Sequence, residues 1–353
     1  MLRRSLLVAI CLSPLMTLAL GDFGAQASNG TRISGPIVNE NLAIYFIHGP
    51  STPGKVPLTL EEALAKGAVR VRETGSVNQL EIENLGAEDI FVQSGDIVKG
   101  GRQDRVLMVS LVLPPKSGPM PIASFCVEQG RWSARGAEDS KNFSTASASV
   151  PSREMKLAMK APLAAKSADL GGHPSSSAPM IETSERQYAV WEGVRQTQEK
   201  LAGSLGAPVK SAESASSLQL ALENEKLTAA RQSYVKALKA AGEASDDIVG
   251  YVFAVNGKLN SADVYPSNGL FRKMWAKLLT ASATEAIGQK DQPSGELPSI
   301  EAVTAFLAAA ESGAKTEKLL NAGMRTVTRD ADKAYLFEAA QPNGWVHRNY
   351  LAK

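Results

Sequence analysis

Between residues 69 and 127 the chain breaks into five short β-like runs, at 69–73, 79–84, 90–93, 106–113 and 122–127, with polar turns between them. In the second run Leu80 and Ile82 alternate with Gln79, Glu81 and Glu83, which gives a strand one buried and one wet face. Closely spaced short strands with few helices point to an antiparallel sandwich or barrel-like unit. Pro114 and Pro115 end the fourth run, because proline cannot donate to a ladder. Upstream, Leu42 to His48 (LAIYFIH) is an apolar run that reads as a further strand, and residues 28–40 before it read as polar and loose. Thr59 is placed to cap a short helix over 60–66, with Glu61 and Glu62 at its positive end and Gly67 just past its close.

The character changes after residue 137. The segment 138–183 is rich in Ser, Ala, Gly and Pro and nearly lacks aromatics, so it reads as a long flexible insertion with too little apolar area to offset its ordering entropy. Helical periodicity follows. Tyr188, Trp191 and Val194 recur at helical spacing, and so do Leu220, Leu227, Ala230, Tyr234 and Leu238, up to a stop at Gly242. Asn256-Gly257 between two apolar runs is a strong hairpin signal, since both turn residues must adopt positive φ. Phe271, Met274, Trp275, Leu278 and Leu279 mark a helix over about 268–287, Ser299 caps another, and the tail from residue 318 reads as strands. The expected class is therefore α+β: a β-rich antiparallel half over 28–137, the insertion at 138–183, and a mixed helix and hairpin half over 184–353. If the final strands return to the first sheet, the two halves form one domain.

Residues 1–27 read as a secretory signal peptide. Arg3 and Arg4 precede an apolar run from Leu6 to Leu20, and Ala25-Gln26-Ala27 supplies a small-x-small cleavage site. The run is shorter than a bilayer span, and no other stretch is long enough, so a periplasmic or extracellular protein with no transmembrane segment after signal removal is expected. Removal of Cys11 with the signal leaves Cys126 alone, unable to form an internal disulfide. Lys and Arg number 38 against 36 Asp and Glu, a formal net charge of +2, so no global excess of positive charge favours nucleic acid. Three histidines and two cysteines leave little material for a transition-metal site, and no nucleotide-binding glycine loop is present, so neither metal nor cofactor is expected.

Two polar clusters carry the candidate chemistry. In the first, Gly100-Gly101 permits a tight turn, and Arg102, Gln103 and Arg105 offer donors suited to a carboxylate or phosphate. The plainer reading is a solvated hairpin, or one whose Arg and Asp residues pair to fix the loop. In the second, Cys126-Val127-Glu128-Gln129-Gly130-Arg131-Trp132, strand alternation puts Cys126 and Glu128 on one face. Cys126 is either an inert buried thiol or a nucleophile served by His48 or His347 as base. Trp132 is a core plug or the wall of a pocket. Asp246, Asp247 and Asp263 read as turn and capping residues rather than as paired acids.

These clusters in this order, with Val112-Leu113-Pro114-Pro115-Lys116-Ser117 between them, resemble a prokaryotic family named for its association with ADP-ribosylglycohydrolase and rhodanese/phosphatase proteins. Gln187 to Trp191, the 250–263 stretch, Leu270-Phe271, Trp275 and Val346-His347 extend the resemblance over most of 42–350, outside the insertion. The family brings no reaction with it. The resemblance implies that the two clusters form one site.

The expectation drawn from these residues is an exported, non-enzymatic binding module. Arg102, Gln103, Arg105, Glu128, Arg131 and Trp132 would hold a small anionic ligand or an acidic group on a protein partner. One alternative is a hydrolase or transferase using Cys126. Another is a cell-envelope scaffold, which predicts an exposed apolar patch on the 218–241 helix.

Overall fold

The structure, a computed structural model, describes residues 30–162, 178–320 and 323–353. The expected signal peptide lies outside the described residues. The first half contains β1 (Arg32–Asn39), β2 (Leu42–His48), β3 (Leu58–Thr59), α1 (Leu60–Ala65), β4 (Val69–Glu73), β5 (Gln79–Asn84) and β6 (Ile90–Val92). It continues through β7 (Asp96–Gly100), β8 (Arg105–Leu107), β9 (Leu111–Leu113) and β10 (Gly118–Cys126). Next come β11 (Phe143–Ser149), α2 (Arg153–Lys160), α3 (Ala178–Leu205), α4 (Leu218–Leu222), α5 (Glu225–Gly242), β12 (Ile248–Val255) and β13 (Lys258–Val264). The chain closes with α6 (Asn268–Gly288), α7 (Ile300–Ser312), β14 (Ala314–Leu319), β15 (Arg325–Ala331), β16 (Ala334–Gln341) and β17 (Gly344–Ala352).

The class is α+β. An eight-stranded sheet runs β1-β2-β12-β13-β17-β16-β15-β14, so strands from both ends of the chain share one ladder. A six-stranded sheet runs β11-β7-β8-β10-β5-β4, and a three-stranded one runs β3-β6-β9. Helix α6 lies on one face of the large sheet, where Phe46, Tyr251, Phe271 and Trp275 pack ring against ring. Helix α7 covers the other face through Val303 and Phe306 against Tyr45 and Val252. The β-rich unit has its own core of Val71, Leu80, Ile82, Leu107 and Leu113.

Several local readings correspond to elements. Thr59 caps α1 with a full capping box: its hydroxyl accepts from the Glu62 N–H while Glu62 accepts from the Thr59 N–H. Asn256 and Gly257 turn the β12–β13 hairpin with φ of 51° and 77°.

Three expectations need correction. Residues 32–39 are not loose but form edge strand β1, paired antiparallel with β2. The 138–183 segment is not a wholly flexible insertion. Phe143, Ala146 and Val150 are buried where β11 pairs with β7, and Met155 and Met159 bury one face of α2. Small side chains on β11 hide its pattern, since Phe143 is its one large apolar residue. Residues 163–177 of that segment lie outside the described residues. The 218–241 run is broken at Asn224, whose side chain accepts from the N–H groups of Lys226 and Leu227 and starts α5 afresh. Leu218, Leu222, Leu227, Tyr234 and Leu238 are buried in the main core, so the apolar side chains of this run face inward rather than forming an exposed patch.

Candidate functional site

The two polar clusters meet because β8 and β10 are antiparallel neighbours, with Cys126 directly opposite Arg105. The turn from β7 to β8 carries Gly100 to Asp104, and the chain leaving β10 carries Glu128 to Trp132. Gly101 takes a φ of 58°, and a Cβ there would sit 2.5 Å from a ring carbon of Phe143. Only glycine fits a turn pressed that closely onto β11.

Most of the charge in this region is turned inward. Asp104 accepts from the Gly100 N–H at 3.0 Å, from both terminal nitrogens of Arg135 at 2.9 and 3.1 Å, and from the Ser217 hydroxyl at 2.8 Å. Glu128 accepts from Arg131 Nε at 2.7 Å and from the Asp104 N–H at 3.0 Å. Arg131 Nη1 donates to the Gly101 and Ser133 carbonyls. Arg135 reaches Glu138 at 2.9 Å. Two guanidinium groups are thus locked among three carboxylates, and their donors are largely spent. Burial pushes the Glu128 carboxyl up, but its hydrogen bonds with Arg131, Ser214 and the Asp104 N–H outweigh that and hold it below the usual range. Burial raises Asp104, with Arg135 opposing and the nearby Glu128 charge adding to the rise.

Beside this network lies a second one. Arg105 is 0% exposed; its Nη1 donates to the Gln103 carbonyl at 2.9 Å, and its Nη2 lies 3.2 Å from Glu73 Oε1. The Gln103 amide donates to the Glu128 carbonyl. The Cys126 thiol donates to Gln103 Oε1 at 3.0 Å, and the Cys126 backbone exchanges two hydrogen bonds with the Gln187 amide on α3. Burial pushes the thiol up to about 11, only partly offset by the Arg105 charge.

Of the six expected binding residues, Gln103, Arg105, Glu128 and Arg131 therefore bind one another or their surroundings. The negative charge that Arg105 and Arg131 face belongs to the protein. Arg102 and Trp132 remain at the surface. Trp132 is 43% exposed, so it is not a core plug, and the Arg102 and Arg105 guanidinium carbons lie 5.3 and 5.7 Å from its ring centroid. The Arg102 side chain is exposed and makes no ion pair among the described residues.

Among the described residues neither histidine is hydrogen-bonded to the Cys126 thiol. His48 is held between Ser34 at 2.8 Å and Asp247 at 2.7 Å. His347 is held between Ser110 at 2.9 Å and Asp263 at 3.0 Å. Burial lowers the His347 pKa against the opposing pull of Asp263. Both rows tie separate elements together, and the thiol, protonated at neutral pH, has Gln103 and the Val77 carbonyl as its partners. Among the described residues no group of three or more His, Cys, Asp or Glu is placed to hold a metal ion, and no helix is long and apolar enough to cross a membrane.

The sequence reading missed Glu73, Arg135 and Ser217. Asp104 stood in plain view inside the first cluster, and the pairing of its loop by Arg and Asp residues is the outcome that the plainer reading described. Ser217 offered no signal, since it lies 113 residues from Asp104 along the chain.

Residues 30–351 match the ARPP-1 domain, the ARG and Rhodanese-Phosphatase-superfamily-associated Protein domain. No curated protein and no solved structure matches the chain.

Proposed function

We propose that the chain, which belongs to the ARPP-1 family, is an exported, non-catalytic binding module that recognises a small anion or an acidic group of a partner at Arg102 and Trp132. One observation carries this reading. Arg102 is the guanidinium of the two clusters that lies exposed without an ion pair among the described residues, and it is stacked on a half-exposed indole. A guanidinium presents a planar fork that matches carboxylate and phosphate oxygens, and the ring beside it fixes its plane and walls the ligand from one side. The buried network serves this face by holding its loop still. Gly100 and Gly101 are pinned by Asp104 and Arg131, and the Arg102 N–H donates to Glu73. Gln103, Arg105, Glu128 and Arg131 position the face and do not touch the ligand.

The test is a titration of tryptophan emission and heat with inorganic phosphate and with an Asp/Glu-rich peptide. Saturable binding of either probe that is lost in Arg102→Ala supports the reading. Absence of binding by both probes, or binding unchanged in a folded Arg102→Ala protein, overturns it.

A further inference from the structure

A second arginine stands in a cleft of a different kind. A cavity of about 280 Å³ opens between β11, α4, α5 and α6, lined among others by Gln219, Glu223, Thr228, Arg231, Lys277 and Thr280. Its other charged groups are matched. Lys277, itself buried, donates to Asp96 at 2.9 Å and to the Ala146 carbonyl at 2.7 Å. Lys99 holds both oxygens of Glu223 at 2.9 and 2.7 Å. Arg231 makes no ion pair among the described residues. Its Nη2 donates to the Leu222 carbonyl at 2.7 Å and to the Thr228 hydroxyl at 3.0 Å. Burial lowers its pKa, and no carboxylate among the described residues acts against that.

A partly buried guanidinium without a counter-ion is costly to fold around, and proteins pair such groups or hydrate them. Here the cleft leaves room for the counter-ion to come from outside. The Thr228 hydroxyl accepts from Arg231, so its own proton is available to a second acceptor, and Lys277 has used two of its three N–H groups. On the same lining, the side chain of Gln219 is 1% exposed. Its amide nitrogen donates to Glu223 at 2.8 Å, while its oxygen has no hydrogen-bond partner among the described residues. An orphaned acceptor and an unpaired cation on one cleft lining ask for a ligand that carries both an acid and a donor.

We propose that this cleft is a ligand site separate from the Arg102–Trp132 face, and that it takes a small carboxylate carrying a neighbouring hydroxyl or amino group. Arg231 receives the carboxylate, with Thr228 as an added donor, and the Gln219 oxygen accepts from the hydroxyl or ammonium. The volume lies just under the ~300 Å³ at which drug-sized sites begin, which fits an acid of a few carbons.

The test follows thermal unfolding of the full chain at fixed ionic strength with L-malate, L-aspartate and succinate, the last of which lacks the donor. The expected result is a saturable rise in Tm with malate or aspartate that exceeds the rise with succinate. Arg231→Met should abolish that rise while leaving the ligand-free Tm unchanged or higher. Gln219→Leu should level malate and aspartate with succinate. Arg102→Ala should respond as the unaltered protein does, which separates this site from the other face. The proposal is overturned if none of the three acids moves the Tm, or if the rise persists in Arg231→Met. It also fails if Arg231→Met lowers the ligand-free Tm or does not fold, because the guanidinium is then a structural group.

Discussion

The arginines of this protein fall into two kinds that residue type does not separate and that differ in physics. Around Asp104, the guanidinium groups of Arg131 and Arg135 are met by three carboxylates within hydrogen-bond reach. At Arg102 and Arg231 no carboxylate is paired among the described residues. A buried cation that the chain itself neutralises is part of the framework. One left without a counter-ion is open to a ligand. Residue type and spacing do not separate these cases, since Arg102, Arg105 and Arg131 are equally good anion binders on paper. The carboxylates around them decide.

That comparison can be broken most severely at the network. Arg135→Met leaves Asp104 and Glu128 short of a buried partner, so a loss of about 3–5 kcal/mol is expected in urea unfolding, with Glu128→Ala comparable. A loss under about 1 kcal/mol in both would place these residues among ordinary surface pairs. The next effect is on binding. Arg102→Ala should weaken capture of an acidic probe by about 1.5–3 kcal/mol, the range for hydrogen bonds to charged groups, while stability stays within about 0.5 kcal/mol. Trp132→Ala should weaken the same binding by about 0.5–1 kcal/mol, the range for a cation–π contact at an exposed site.

A further effect, confined to alkaline pH, is a change of slope with pH at Cys126. The folded thiol titrates near 11 against an ordinary value of 9.0, so the folded state holds its proton more tightly than the unfolded chain. Stability from this group is present below about 9 and is lost as pH rises towards about 11. The stability difference between the unaltered protein and Cys126→Ala should therefore fall across that window. Iodoacetamide should alkylate the native thiol slowly at pH 7 and the urea-unfolded thiol readily. Rapid native labelling at pH 7 would contradict the burial argument.

How much of this could be read from the chain follows from range. The Thr59 cap, the Asn256-Gly257 turn and the Gly100-Gly101 turn are local chemistry, and each reads directly. That two distant clusters meet depended on β8 and β10 pairing, which the family resemblance suggested and the alternation pattern alone did not fix. The direction of the guanidinium groups was not legible. It depends on Glu73, Arg135 and Ser217, the last two reaching Asp104 from 31 and 113 residues away along the chain. Strand β11 was missed because Ser, Thr and Ala on both of its faces imitate a linker, and its ordering comes from β7 beside it. The break at Asn224 was missed because the apolar spacing runs on across it, although a cap residue was there to be read.

Side-chain NMR of the arginine Nε–H and tryptophan Nε1–H groups, followed while an Asp/Glu-rich peptide is added, reads both kinds of arginine in one experiment. The account predicts saturable shifts at Arg102 and Trp132, with the Arg131 and Arg135 signals staying in place. Movement at Arg131 or Arg135 with Arg102 unmoved would show that the internal carboxylates give way to a ligand and that the division drawn between the two arginine neighbourhoods is false.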